Sequence, residues 1–109
     1  MKTYTVIDTI EIGDAQFRHH PEWQHKFGSS GLIVVLDPDE ATDPPFISGA
    51  GVIIRRPDGS TIRRVATVAE RPSTAFGLFF PALVHGDIPR LSCIEPDETQ
   101  QAVVGGNGG

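Results

Sequence analysis

Within the segment Phe17-Arg18-His19-His20-Pro21-Glu22-Trp23-Gln24-His25-Lys26-Phe27, three imidazoles stand close to a carboxylate and an indole. Neutral imidazole nitrogens and a carboxylate oxygen suit zinc, nickel or iron at about 2.0–2.2 Å. The spacing argues against such a centre. His20 and His25 are separated by a proline in no recognised ligand pattern, and His19 and His20 on extended backbone would face opposite ways. The segment therefore reads as a polar loop, with a helical turn after Pro21, whose Trp23 and Phe27 pack under a rim. A protein-binding role for His19, His20, Trp23 and His25 and a metal site remain alternatives, and no metal or cofactor is assigned.

The second group with chemical potential is basic. Arg55 and Arg56 close one β-prone run, and Arg63 and Arg64 lie in the next. Alternation sends one arginine of each pair to each face, so at least two guanidiniums project outward, where they can meet phosphate or carboxylate. Pairing with the chain's own acids is the competing reading. Elsewhere catalytic signals are thin. Asp37, Asp39, Glu40 and Asp43 lack the glycine and glutamate of a calcium loop, since Thr42 and Ser48 occupy those positions. Cys93 falls in an expected strand with no histidine placed by sequence to activate it, and no serine sits in a nucleophile elbow. No catalytic residue is assigned, and a non-enzyme is the favoured reading.

The elements that must carry these groups are short and pleated. Tyr4, Val6, Ile10 and Ile12 alternate with polar residues, which predicts a half-buried strand interrupted near Ile7-Asp8. Leu32-Ile33-Val34-Val35-Leu36 predicts a central strand. Val52–Arg56 and Thr61–Val65 flank Pro57-Asp58-Gly59-Ser60, a hairpin whose proline fixes φ and whose glycine accepts positive φ. The second arm can continue to Val68. Arg71-Pro72-Ser73 marks a break before a buried run at Phe76–Phe80, and Ser92–Ile94 closes the pattern. The expected fold is all-β, a small closed or partly open antiparallel barrel over residues 1–95, followed by a flexible glycine-rich tail over 96–109.

The chain has 109 residues, nine Lys and Arg against fourteen Asp and Glu, and a net charge of −5. One core is the natural organisation at that length. The acidic balance disfavours DNA and anionic lipid. Cys93 is the single cysteine, which fits a reducing compartment. The first residues read as neither signal peptide nor membrane anchor, so a cytoplasmic location is expected.

The stretch Phe76-Gly77-Leu78-Phe79-Phe80-Pro81-Ala82-Leu83-Val84-His85-Gly86-Asp87-Ile88-Pro89-Arg90 resembles the end of the second-domain β-barrel of elongation factor Tu and related translational GTPases. In that family a strand of the type Val-Gly-Leu-Leu-Leu leads into a turn reading Asp/Glu-Ile/Val-x-Arg-Gly. Gly77, Leu83 and Asp87-Ile88-x-Arg90 fall in that register, and the likeness extends over roughly residues 5–95. Ala82 and Leu91 stand where the family carries glycine, and residues 13–30 have no counterpart. No phosphate-cradling Gly-x4-Gly-Lys-Ser/Thr is present, so the resemblance implies a barrel that docks on RNA, ribosome or protein and no GTPase chemistry.

These readings converge on a non-catalytic binding module for a protein or ribonucleoprotein partner. Its oligomeric state is left open. Two alternatives stand beside it: a small metal-binding protein or metal-dependent enzyme built on the 19–25 loop, and an inhibitor or immunity-type protein.

Overall fold

The aliphatic run after Gly31 buries every side chain because strands cover both its edges and apolar layers cover both its faces. In the computed structural model, which describes residues 3–40, 46–69 and 76–97, this run is β2 (Gly31–Leu36). The other elements are β1 (Tyr4–Ile12), α1 (Asp14–His19), α2 (Pro21–Phe27), β3 (Gly51–Arg55), β4 (Thr61–Val65), β5 (Thr67–Ala69), β6 (Gly77–Pro81), a 3-10 turn (His85–Asp87) and β7 (Cys93–Pro96). Asp43, the Arg71-Pro72-Ser73 break and residues 98–109 lie outside the described residues.

All strand pairs are antiparallel, in the order β4-β3-β7-β1-β2-β6-β5. The ladder does not close. β4 and β5 are successive parts of one run through Ala66, the first pairing with β3 and the second with β6. The barrel is therefore the partly open form. Its interior is filled by Val6, Leu32, Val34, Leu36, Ile54, Leu78, Phe80, Ile88 and Ile94, all fully buried. A second cluster, Ile12, Phe17, Ile33, Ala69 and Phe79, lies on the outer face of β1, β2 and β6, with Trp23 and Phe27 packed against it.

That second cluster corrects the reading of the histidine-rich segment as a loop. Two short helices form there, too brief to show a sustained 3.6-residue period. Pro21 occupies the first turn of α2, where its missing N–H costs nothing. Gly28 ends α2 at φ 82°, donating its N–H to the Gln24 carbonyl at 2.8 Å. Phe17 is buried and Phe27 stacks on Phe79 with ring centroids 4.4 Å apart.

Residues 96 and 97, placed in the expected tail, belong to the sheet. Pro96 pairs with Val52, and Asp97 donates its N–H to the Gly51 carbonyl at 3.0 Å. Among the described residues no helix is long and apolar enough to cross a membrane.

Among the described residues, two that are not glycine adopt positive φ, Ala82 at 64° and Leu91 at 74°. The left-handed region costs a side-chain-bearing residue about 1–2 kcal/mol, while glycine gives back about 0.5–1 kcal/mol through its unfolded freedom. Leu91 is well exposed, so little burial is lost on truncation. Leu91→Gly is expected to stabilise the protein by up to about 1 kcal/mol, raising the thermal midpoint by a few degrees. A lowered midpoint in a calorimetric scan would show that the Leu91 side chain contributes more than its conformation costs.

Candidate functional site at the hairpin and the barrel mouth

The hairpin arginines are positioned by local turn chemistry. Gly59 donates its N–H to the Arg56 carbonyl at 2.9 Å and Arg56 donates its own to the Ser60 carbonyl at 2.8 Å, with Gly59 at φ 92°. This is a type I turn followed by a left-handed glycine. The Ser60 hydroxyl and N–H both donate to Asp58, at 2.6 and 2.8 Å, and hold its carboxyl below the usual carboxylate range.

Three of the four guanidiniums are committed to partners. Arg55 donates through Nη2 and Nε to Glu95 Oε1 at 2.8 and 3.2 Å. Arg63 Nε lies 3.9 Å from Asp97 Oδ2. Both acids are buried, Glu95 on β7 at 8% exposure and Asp97 just past its end at 4%. A carboxylate removed from water needs a cation or donors beside it, and the arginines supply them here. Arg56 donates to the Asp87 carbonyl at 2.8 Å and to Ser60 Oγ at 3.2 Å, which ties the hairpin to the 85–87 turn. Arg64 reaches only a neighbouring carbonyl, that of Arg63, at 2.8 Å, and has no acidic partner among the described residues.

The helical layer lies elsewhere on the barrel. β7 and β1 stand between β3 and the β2–β6 strands that α1 and α2 cover, so the arginine and histidine surfaces are not brought together. His19, His20 and His25 are exposed. His20 stacks on Trp23 with centroids 4.1 Å apart, and its Nδ1 lies 3.4 Å from Glu22 Oε1. Among the described residues no three His, Cys, Asp or Glu side chains are grouped to hold a metal ion.

A third cluster was invisible in the sequence. The register of β1 against β2 slips between Val6 and Asp8, so the extra residue reverses which face each later side chain takes. Ile10 and Ile12 consequently join the outer cluster, while Thr9 and Glu11 sit opposite Val34 and Leu32 at the mouth of the barrel. There Thr9 Oγ1 and His85 Nδ1 share a hydrogen bond of 2.6 Å. Glu11 Oε2 accepts the His85 backbone N–H at 2.9 Å and lies 3.7 Å from Nε2. Hydroxyl, imidazole and carboxylate follow the order of an acyl-transfer triad, but the second leg is longer than a hydrogen bond. The cluster acts as a clamp on the 85–87 turn. Beside it, Glu11, Gln16, Ser30, Ala82, Leu83 and Val84 help to line a cleft of about 430 Å³.

Fold and surfaces together define a mostly antiparallel, partly open β-barrel with a helical cover on one side and an arginine-bearing hairpin away from it. No family model, no curated protein and no solved structure matches the chain.

Proposed function

We propose that the chain is a non-catalytic β-barrel module that docks a protein or ribonucleoprotein partner through its β3–β4 hairpin. The observation that carries this reading is the make-up of β4. Arg63 and Arg64 are exposed there beside Val65, which is 48% exposed. The adjoining turn carries Ile47 at 71% exposure and is tied to the end of β4 by the Gly49 N–H on the Ala66 carbonyl at 2.8 Å. Apolar side chains flanked by arginine are the composition of interfaces rather than of inert surface. The likeness to translation-factor barrels adds support of a separate kind. Ala82 and Leu91, the positions where that family carries glycine, take glycine-like φ and are the two non-glycine residues that do so among the described residues.

Capture from native lysate tests the reading. Charge reversal at Arg64, Arg64→Glu, is expected to reduce recovery of the partner strongly while leaving the melting temperature within about 2 °C, because Arg64 is exposed and has no acidic partner among the described residues. Arg56 and Arg63 are unsuitable for this purpose, since Arg56 holds the 85–87 turn and Arg63 lies over the buried Asp97. Undiminished capture by Arg64→Glu would remove the hairpin from the docking surface.

A further inference from the structure

We infer that the outward edge of β4 receives an extended, carboxylate-bearing segment of a partner protein as an added strand. The inference rests on the docking reading above and specifies the partner's chemistry. Backbone parity supplies the first step. Arg56 bonds Ser60 and Ala66 bonds Ala50, at 2.8 and 3.1 Å, so the even-numbered residues of β4 face β3. Thr61, Arg63 and Val65 must then direct their N–H and C=O groups away from it.

Further along the same run, that edge is covered. Thr67 pairs with Phe79 and Ala69 with Gly77. The next pair in this register would set Val65 against Pro81, which has no N–H to offer, and the chain turns away at Ala82 with φ 64°. The β6 ladder stops there. Among the described residues nothing replaces it along residues 61–65, and the barrel keeps an unpaired edge three alternate residues long.

The side chains identify what fits. Arg64 Nη1 donates to the Arg63 carbonyl at 2.8 Å, so a guanidinium occupies the place where the N–H of a neighbouring strand would sit. An incoming strand displaces it and leaves it to pair with a carboxylate on that strand. Arg63, whose own acid is 3.9 Å away, adds a second positive charge. A second copy of this chain is a poor occupant. Antiparallel pairing centred on Arg63 would place arginine directly opposite arginine, the arrangement edge strands use to resist self-association.

The test uses the full chain and capped seven-residue peptides alternating glutamate with valine or threonine. Controls are the lysine counterpart, the acidic peptide N-methylated at alternate amides, and a single-stranded oligouridine. In the free protein, the amides of residues 61, 63 and 65 are expected to exchange fast. The acidic peptide should protect them, the N-methylated and lysine peptides should not, and Arg64→Glu should weaken binding about tenfold while Arg64→Lys retains most of it. Amides already protected in the free protein would overturn the inference. So would equal binding of the lysine peptide, dimerisation through this edge, or oligouridine binding there in place of peptide. Val65→Pro removes one edge donor at a position where edge strands tolerate proline. Lysate capture that survives Val65→Pro leaves the docking reading standing and sinks the strand addition. Should that variant not fold, the N-methylated peptide against wild-type protein decides the same point.

Discussion

Gly31→Ala is expected to cost about 3 kcal/mol or more and to lower the thermal midpoint by over about 10 °C. A β-carbon at this position would lie 2.3 Å from the Phe80 carbonyl oxygen and within 2.9 Å of two Phe79 ring carbons. The collision is with backbone, so no side-chain rotation relieves it. Neither strand can retreat, because β2 is held by β1 on one edge and β6 on the other, with Gly31 facing Ile12 and Pro81. Gly77→Ala is the built-in comparison. Its nearest neighbours would be the Ala69 carbonyl oxygen at 3.1 Å and Ile33 Cγ2 at 3.3 Å, distances that a small shift of the short β5 strand accommodates. The smaller loss should therefore fall on Gly77→Ala. Equal midpoints for wild type and Gly31→Ala would mean that β2 and β6 are not packed as described. Gly31 and Ser30 also line the cleft, so residual folded Gly31→Ala protein should have a distorted mouth.

Phe79→Ala should destabilise the protein by about 3–5 kcal/mol, the usual range for emptying a buried phenylalanine site. Its ring is 1% exposed and sits on the outer face of the sheet among Ile12, Phe17, Ile33 and Ala69, with Phe27 stacked on it. The effect has a spatial signature. Helices of six and seven residues have no stability of their own, so the amides of α1 and α2 should lose protection from hydrogen exchange well before those of β2. Phe80→Ala, one residue on but inside the barrel, should loosen sheet and helices together. Unchanged α2 protection in Phe79→Ala would show that the helical cover is anchored by something other than this cluster. Because α1 and α2 present His19, His20, Trp23 and His25, the comparison also reports whether any role of those residues depends on the cover being docked.

Legibility followed the range of the interaction responsible. The hairpin could be read in full because proline, aspartate and glycine act on their own φ angles and nearest amides. The central strand could be read because a short β-branched run between turn residues has few other stable conformations. The two helices were missed for the opposite reason. Each is under two turns long, and each persists only because Phe17, Trp23 and Phe27 find Ile33 and Phe79 on a sheet assembled from distant segments.

The arginines divide in the same way. Their exposure on alternating faces was legible, whereas the buried acids that hold two of them lie far along the chain. Glu95 stood at the end of the expected domain and Asp97 in the expected tail, yet β7 sets Glu95 beneath Arg55, and the Asp97 N–H on the Gly51 carbonyl holds Asp97 beside Arg63.

By itself, the chain's order of residues determined an antiparallel β architecture, its strand sequence and the hairpin, since those depend on side-chain periodicity and on backbone preferences within a few residues. Tertiary structure alone decided which edge of β4 has no strand partner among the described residues, which arginines sit over buried acids, and that Thr9 and Glu11 meet His85 at the mouth. Each of those outcomes depends on register between strands remote in sequence, where a single extra residue near Ile7 exchanges inside for outside.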